Sequence, residues 1–261
     1  MIRVGVGGWV IKPWRGTFYP PDLPQARELE YASRRLTTIE INSTFYRTQS
    51  RKSFRKWAGE TPDDFVFSVK APRAATHRRV LAEAGESIER FFASGVLELG
   101  RKLGPILWQL HPAKKFQADD CARFLELLPR HVEGHAMQHV LEARHASFVD
   151  RVFADLARAH AVALALIDSE KQALMADVTG DIVYARLQRA SAKAETGYPR
   201  PQLETWARRA RLWADGSAPD DLPTIAGASP SKKKRDVFIY MIAGEKTRDP
   251  AAAMALLDLL Q

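Results

Sequence analysis

Only one cysteine, Cys121, occurs among the 261 residues. No internal disulfide can form, and a reducing cytoplasm is the expected compartment. No apolar run approaches the roughly 20 residues that a membrane-spanning helix needs. The opening MIRVGVGGWV also lacks the apolar stretch of a secretion signal, so no membrane partner is expected. A Gly-rich dinucleotide turn between first strand and helix is missing as well: GVGGW runs into the Pro- and aromatic-rich VIKPWRGTFYPPDLP. Ser43, Ser68 and Ser169 have no nucleophile-elbow context, and Cys121 falls in a helical pattern that reads as core. Internal repeats and low-complexity tracts are absent, no cofactor is evident, and no protein partner is indicated.

What is present fits one large core. Hydrophobic residues make up 46% of the chain, and the charged fraction of 27% is near the globular norm of roughly 25%. A net charge of +8 with a pI near 9.7 favours an anionic partner, either a phosphorylated metabolite or nucleic acid. A generally basic composition explains the same numbers, because the arginines are spread over helical patterns and strand ends alike.

Apolar, β-branched runs at Arg3–Gly7, Thr37–Ile41, Phe65–Val69, Ile106–Leu110, His139–Ala143, Val162–Ile167, Ile182–Leu187 and Val237–Ile242 read as strands. Helical patterns separate them, among them Ser87–Lys102, whereas Lys171–Val178 is short and poorly periodic. Strands alternating with helices require crossover connections and hence parallel pairing. The expectation is a single (β/α)8 TIM-type barrel over residues 1–261, with a flexible loop at about 215–235. The Lys232–Arg235 cluster in that loop could meet nucleic acid or lie solvated.

Residues two apart in a strand share a face. Glu40 therefore points with Asn42, Ser68 with Lys70, Gln109 with His111, Glu142 with Arg144, and Tyr184 with Arg186 and Gln188, while the sixth strand ends at Asp168. In a barrel those carboxyl ends converge on one mouth, where barrel enzymes place their chemistry. Two readings fit the polar ring. One is a plug in which Glu40, Glu142 and Asp168 neutralise Lys70, Arg144 and Arg186. The other is a ligand site, since ion pairs in a protein interior are a poor source of stability. Arg and Lys there suit a phosphate or carboxylate. Glu142, Asp168 and His145 are the candidate ligands should a divalent metal bind, although three nearby cations oppose it. Aromatic residues gather in the loops after the first two strands; Trp9 and Tyr46 read as ligand contacts, Phe18 and Phe45 as packing.

The segments GVGGW, PWRGTFYP, EINSTFYR, VKAPRAATH, LWQLHP and LEARHASF, in this order from Gly5 to Phe148, resemble the YecE-like family, also called domain of unknown function 72. The resemblance implies a TIM-type barrel related in outline to sugar-isomerase-like barrels, with no established reaction. The family's characteristic polar residues map to Trp9, Glu40, Asn42, Lys70, His77, Gln109, Glu142, Arg144 and His145. Two departures stand out. Where the family's seventh strand typically ends Arg-Leu-His-Gly, this chain has Gln188 and Arg189 in the last two places. Where the eighth strand typically ends in two asparagines, this chain has Ile242 and Ala243.

The leading expectation is an enzyme acting at the mouth on a small anionic sugar-like or phosphorylated compound. Glu40, Glu142, Lys70 and His145 are the catalytic candidates, and a carboxylate beside cations favours the role of base. Lys70, Arg144 and Arg186 would hold the anion, Asn42 and Gln109 would orient it, and Trp9, Tyr46, His77 and Asp168 would line the site. Isomerisation, lyase chemistry and hydrolysis all fit. A metal-dependent phosphoesterase or nuclease is a second expectation, and a non-catalytic nucleic-acid- or ligand-binding barrel a third.

Overall fold

A computed structural model describes residues 1–227 and 232–261. In chain order the strands are β1 (Ile2–Gly7), β2 (Thr38–Ile41), β3 (Val66–Lys70), β4 (Leu103–Gln109), the short hairpin β5 (His131–Val132) and β6 (His135–Ala136), then β7 (His139–Glu142), β8 (Ala163–Asp168), β9 (Ile182–Leu187) and β10 (Asp236–Met241). All but the hairpin pair in parallel, each with its neighbour in the chain, and β10 closes on β1 to complete an eight-stranded barrel. The barrel expected from the alternation of strands and helices is the one that forms.

Around it lie α1 (Glu28–Ser33), α2 (Ser43–Tyr46), α3 (Arg51–Glu60), α4 (Arg73–Thr76), α5 (Gly85–Ala93), α6 (Ala118–Glu126), α7 (Arg151–Ala159), α8 (Arg200–Ala214) and α9 (Asp249–Leu260). The single helix expected over Ser87–Lys102 breaks at Gly95 into α5 and a 3-10 stretch. Gly95 has φ +101°, and a Cβ there would lie 2.2 Å from the Arg51 side chain, so both the conformation and the close approach of α3 require glycine.

Among the described residues no helix lies between β8 and β9. The irregular segment after β8 is braced by the irregular segment after α8: Asp177 accepts the backbone N–H groups of Ile225 and Ala226, and the Ala176 N–H donates to the Pro223 carbonyl. Residues 228–231 of the loop expected at 215–235 lie outside the described residues. The basic cluster beyond them sits at the amino end of β10, with Lys233 paired to Asp181 and Arg235 buried. It is therefore at the opposite end of the barrel from the strands' carboxyl ends.

Alternation along each strand divides the apolar side chains between two cores. Val4, Ile39, Ile41, Phe67, Val69, Trp108 and Leu187 pack outward against the helices. Leu107, Val140, Ala165, Ile167, Tyr184, Phe238 and Tyr240 fill the lumen. Each large apolar side chain fully removed from water contributes about 1.5–3 kcal/mol. These two layers, rather than ion pairs, therefore hold the barrel together and leave its upper lumen available for polar residues.

Candidate active site at the carboxyl ends of the strands

Register decides which polar side chains meet. Pairing sets Glu40 beside Ser68, Gln109 beside Glu142, and Arg186 beside both Ile167 and Tyr240. Since Ile167 and Tyr240 belong to the lumen core, alternation sends Glu40, Ser68, Lys70, Gln109, Glu142, Tyr184 and Arg186 into the same space.

Arg186 is the hub. Its Nε and Nη2 donate to Glu40 Oε2 and Oε1, each at 3.1 Å, and its Nη1 donates to Glu142 Oε2 at 2.6 Å. Tyr184 adds a 2.6 Å hydroxyl donation to Glu40 Oε2, and Gln109 Nε2 donates to Glu142 Oε1 at 2.7 Å. Below them the Tyr184 hydroxyl meets Ser68 Oγ at 2.8 Å, and the Tyr240 hydroxyl meets Thr38 Oγ1 at 2.9 Å. Burial opposes the charge on Arg186, but Glu142 and Glu40 outweigh it and raise its pKa above the ordinary arginine value. Burial, reinforced by Glu40, pushes the Tyr184 hydroxyl well above the usual tyrosine range.

Two further cations stand above this lattice with no carboxylate beyond Glu40 and Glu142, which Arg186 already engages. Arg144 comes no nearer to Glu142 Oε1 than 3.8 Å, and its buried Nε makes no hydrogen bond. Lys70 is 7% exposed, and its Nζ has no hydrogen-bond acceptor among the described residues; it rests 4.1 Å from the centroid of the Phe45 ring. Desolvation by burial, with Arg186 adding to it, lowers the Lys70 pKa from 10.5 to about 8, while Glu40 and Glu142 oppose the shift. The mouth therefore holds two carboxylates against three cations. A self-neutralising plug would need a third carboxylate.

The expected third carboxylate, Asp168, is elsewhere. In β8 the lumen positions are Ala163, Ala165 and Ile167, so Asp168 falls on the outward face with Leu164 and Leu166. There it binds Arg189, with Nε at 2.8 Å from Oδ1. Burial raises the Asp168 pKa, and Arg189 works against the rise. This also removes the expected metal set. Among the described residues no three His, Cys, Asp or Glu side chains gather as metal ligands, Glu142, Asp168 and His145 included. Glu142 is bound by Arg186 and Gln109, Asp168 by Arg189, and the His145 Nδ1 accepts the Ser147 N–H at the start of a 3-10 turn.

The loops set the remaining residues. Thr44 Oγ1 donates to the carbonyl oxygens of Ile41 and Lys70, at 3.1 and 2.6 Å, which ties α2 to the end of β3. That tie brings Phe45 against the Lys70 ammonium and leaves Tyr46, 68% exposed, on the rim. Asn42 caps β2 with its amide 3.4 Å from the Glu40 carbonyl oxygen. His77 ends α4 and packs edge-on against Phe45 and His111, with centroids at 5.2 and 4.8 Å. Burial, then His111 and Lys70, lowers the His77 pKa. The Trp9 ring goes the other way: it packs on Trp57 and Phe67, both outside the lumen, and is not brought to the mouth. Phe45, Tyr184, His111 and Arg189 are not among the expected site residues; alternation signals Tyr184 and His111, which share a strand face with Arg186 and Gln109, but gives no role to Phe45 or Arg189.

A cavity of about 640 Å³ opens between the amino ends of β7, β8 and β9, away from the polar cluster. The groove that adjoins the mouth, about 460 Å³, runs beside His77 and His111.

Fold and site together define a closed parallel (β/α)8-type barrel with a cation-rich mouth at the strands' carboxyl ends. The chain belongs to the family described as protein of unknown function DUF72, which it matches over residues 3–261. It is 29% identical over 117 residues to the UPF0759 protein YunF of Bacillus subtilis (strain 168), a match spanning 43% of this chain and 40% of that relative. The crystal structure of a DUF72 family protein from Thermotoga maritima MSB8 superposes with a TM-score of 0.75 at 22% identity, covering 100% of this chain and 99% of that one. One from Enterococcus faecalis V583 gives 0.70 at 15% identity, with 100% and 95% coverage. At these identities the likeness carries the fold. Among the described residues no helix is long and apolar enough to cross a membrane.

Proposed function

We propose that the mouth is the active site of an enzyme acting on a small anionic sugar-like or phosphorylated compound, with Lys70 and Arg144 receiving the anion. The observation that carries this reading is the Lys70 side chain, largely withdrawn from solvent, whose ammonium finds no hydrogen-bond acceptor among the described residues and rests on the Phe45 ring. A buried charge left unpaired is costly. An incoming phosphate or carboxylate supplies the acceptor that the protein withholds, and Arg144, whose buried Nε makes no hydrogen bond, stands 3.8 Å from Glu142 and close enough to act on the Lys70 charge.

The two glutamates have different tasks in this scheme. Glu40 accepts three hydrogen bonds from Arg186 and Tyr184, which makes it a positioning residue. Glu142 accepts one on each oxygen and faces Arg144, so it retains lone pairs for a substrate proton and is the better general base. A Lys70 pKa of about 8 also puts its proton within range of transfer near neutral pH. Gln109 and Asn42 orient the polar groups of the ligand. Proton transfer next to a bound anion is common to isomerases, lyases and hydrolases, and the reading extends to that shared step.

Titration calorimetry with inorganic phosphate and a panel of sugar phosphates tests the assignment. Heat of binding in the native protein, abolished in Lys70→Met and weakened in Arg144→Ala, supports it. Equal binding by native protein and Lys70→Met contradicts it.

A further inference from the structure

Beside the mouth, the rim groove is lined by His77, Arg78, Arg79, His111, Lys114 and Lys115, with no acidic side chain in its wall. Three of these residues have identifiable partners within the fold. Lys114 is bound to Asp120 Oδ2 and to the Arg79 carbonyl, and Arg78 donates to the Ala74 carbonyl and to Ser87 Oγ. His111 Nδ1 accepts the Ala113 N–H, which leaves its Nε2–H as a donor. Arg79 and Lys115 form no ion pair among the described residues, so the groove keeps unsatisfied positive charge.

Aromatic rings join this groove to the mouth. Tyr46, Phe45, His77 and His111 contact one another in that order, with centroids 5.1, 5.2 and 4.8 Å apart, and Phe45 is the ring against which the Lys70 ammonium rests. Tyr46 leaves most of its surface to solvent although it is large and aromatic. Unpaired cations along a groove, with an exposed ring joined to its His77 wall through Phe45, fit a chain of phosphates that carries flat bases. Charge follows the backbone, and rings stack on the bases whatever their sequence. A simple polyphosphate would use the cations but not Tyr46.

We propose that the groove binds single-stranded nucleic acid, its phosphates on Arg79 and Lys115 and a base on Tyr46, with one strand phosphate reaching Lys70. This deepens the reading of the mouth as an anion site and rests on it only for that last contact. The interaction is non-covalent, so it calls for no additional reactant.

The test is fluorescence anisotropy with a labelled ten-residue oligothymidylate at 20–200 mM salt, using the full chain, with inorganic polyphosphate as competitor. Reversing the charge in Arg79→Glu/Lys115→Glu should weaken binding by more than about tenfold and flatten the log–log salt slope by about 1.4, at roughly 0.7 per lost phosphate contact. Tyr46→Ala should weaken oligothymidylate at least about fivefold while leaving polyphosphate competition unchanged. All three positions are on the rim, and circular dichroism of each variant checks that it folds. No oligothymidylate binding at 20 mM salt overturns the proposal, and calorimetric phosphate binding at Lys70 can survive that outcome. Binding that is indifferent to both variants also overturns it. Binding lost in both variants but unaltered by Lys70→Met supports the groove and overturns only the contact of a strand phosphate with Lys70, while the reading of the mouth fails only if calorimetry shows equal phosphate binding by native protein and Lys70→Met.

Discussion

Arg186 and Glu40 face each other across the barrel lumen through two parallel 3.1 Å hydrogen bonds, while a third guanidinium nitrogen reaches Glu142 at 2.6 Å. One planar cation thus fixes two carboxylates contributed by β2 and β7, strands separated in the wall by β3 and β4. Replacing Arg186 by Met leaves both charges buried, and a buried pair broken on one side costs about 3–5 kcal/mol. Chemical denaturation should show a loss of that size. Arg186→Lys should recover little of it, because an ammonium cannot match the bidentate geometry.

Lys70 separates stability from function. Lowering its pKa from 10.5 to about 8 corresponds to a penalty of about 3 kcal/mol on the charged form. At pH 7 both folded and unfolded chains carry the proton, so the penalty is fully present. Between about 8 and 10.5 the unfolded chain holds the extra proton and the native protein gains stability as pH rises. Lys70→Met should therefore be about 1–3 kcal/mol more stable than the native protein at pH 7, and the advantage should vanish by pH 10.5. Urea denaturation at pH 7 and at pH 10.5 checks both ends of that window. Equal stability of the two proteins at pH 7 would remove the physical basis for a functional lysine.

Anion binding should follow the same proton. Affinity for sulfate, whose charge is constant over this range, is expected to hold between pH 6.5 and 7.5 in calorimetry, then to fall about tenfold per pH unit above about 8 as the Lys70 ammonium is lost. Affinity that stays flat to pH 9.5 would place the anion elsewhere.

The eighth-strand departure has a conformational consequence. Ala243 has φ +70°, the left-handed region in which a Cβ costs about 1–2 kcal/mol. Asparagine tolerates this region better than alanine, so Ala243→Asn should raise stability by about 0.5–1 kcal/mol. The next residue behaves oppositely. A Cβ on Gly244 (φ +65°) would lie 2.7 Å from the Ala190 carbonyl oxygen, and Gly244→Ala should destabilise by at least about 1 kcal/mol. Thermal melts of the two variants should shift in opposite directions.

The polar heart of the site was legible because polar residues in otherwise apolar strands are conspicuous. Glu40 within TIEI, Lys70 ending VFSVK, Glu142 ending HVLE and Arg186 within IVYARL each mark a lumen position. The same rule is silent in ALALID, where both faces of the strand are apolar, so the outward placement of Asp168 could not be read from it. Its partner Arg189 appeared only as a departure from the family's usual strand ending. Beyond the strands, placement depends on contacts distant in sequence. Trp9 turns to Trp57, and Phe45 reaches Lys70 because Thr44 bonds the Lys70 carbonyl. No periodicity encodes such contacts.

The most direct test of the mouth as an anion site is anomalous diffraction from crystals soaked in tungstate, a phosphate mimic, at pH 6.5. The anion should appear within hydrogen-bonding distance of Lys70 Nζ and the Arg144 guanidinium. Tungstate bound only elsewhere, with the space above Glu142 empty, would contradict the assignment.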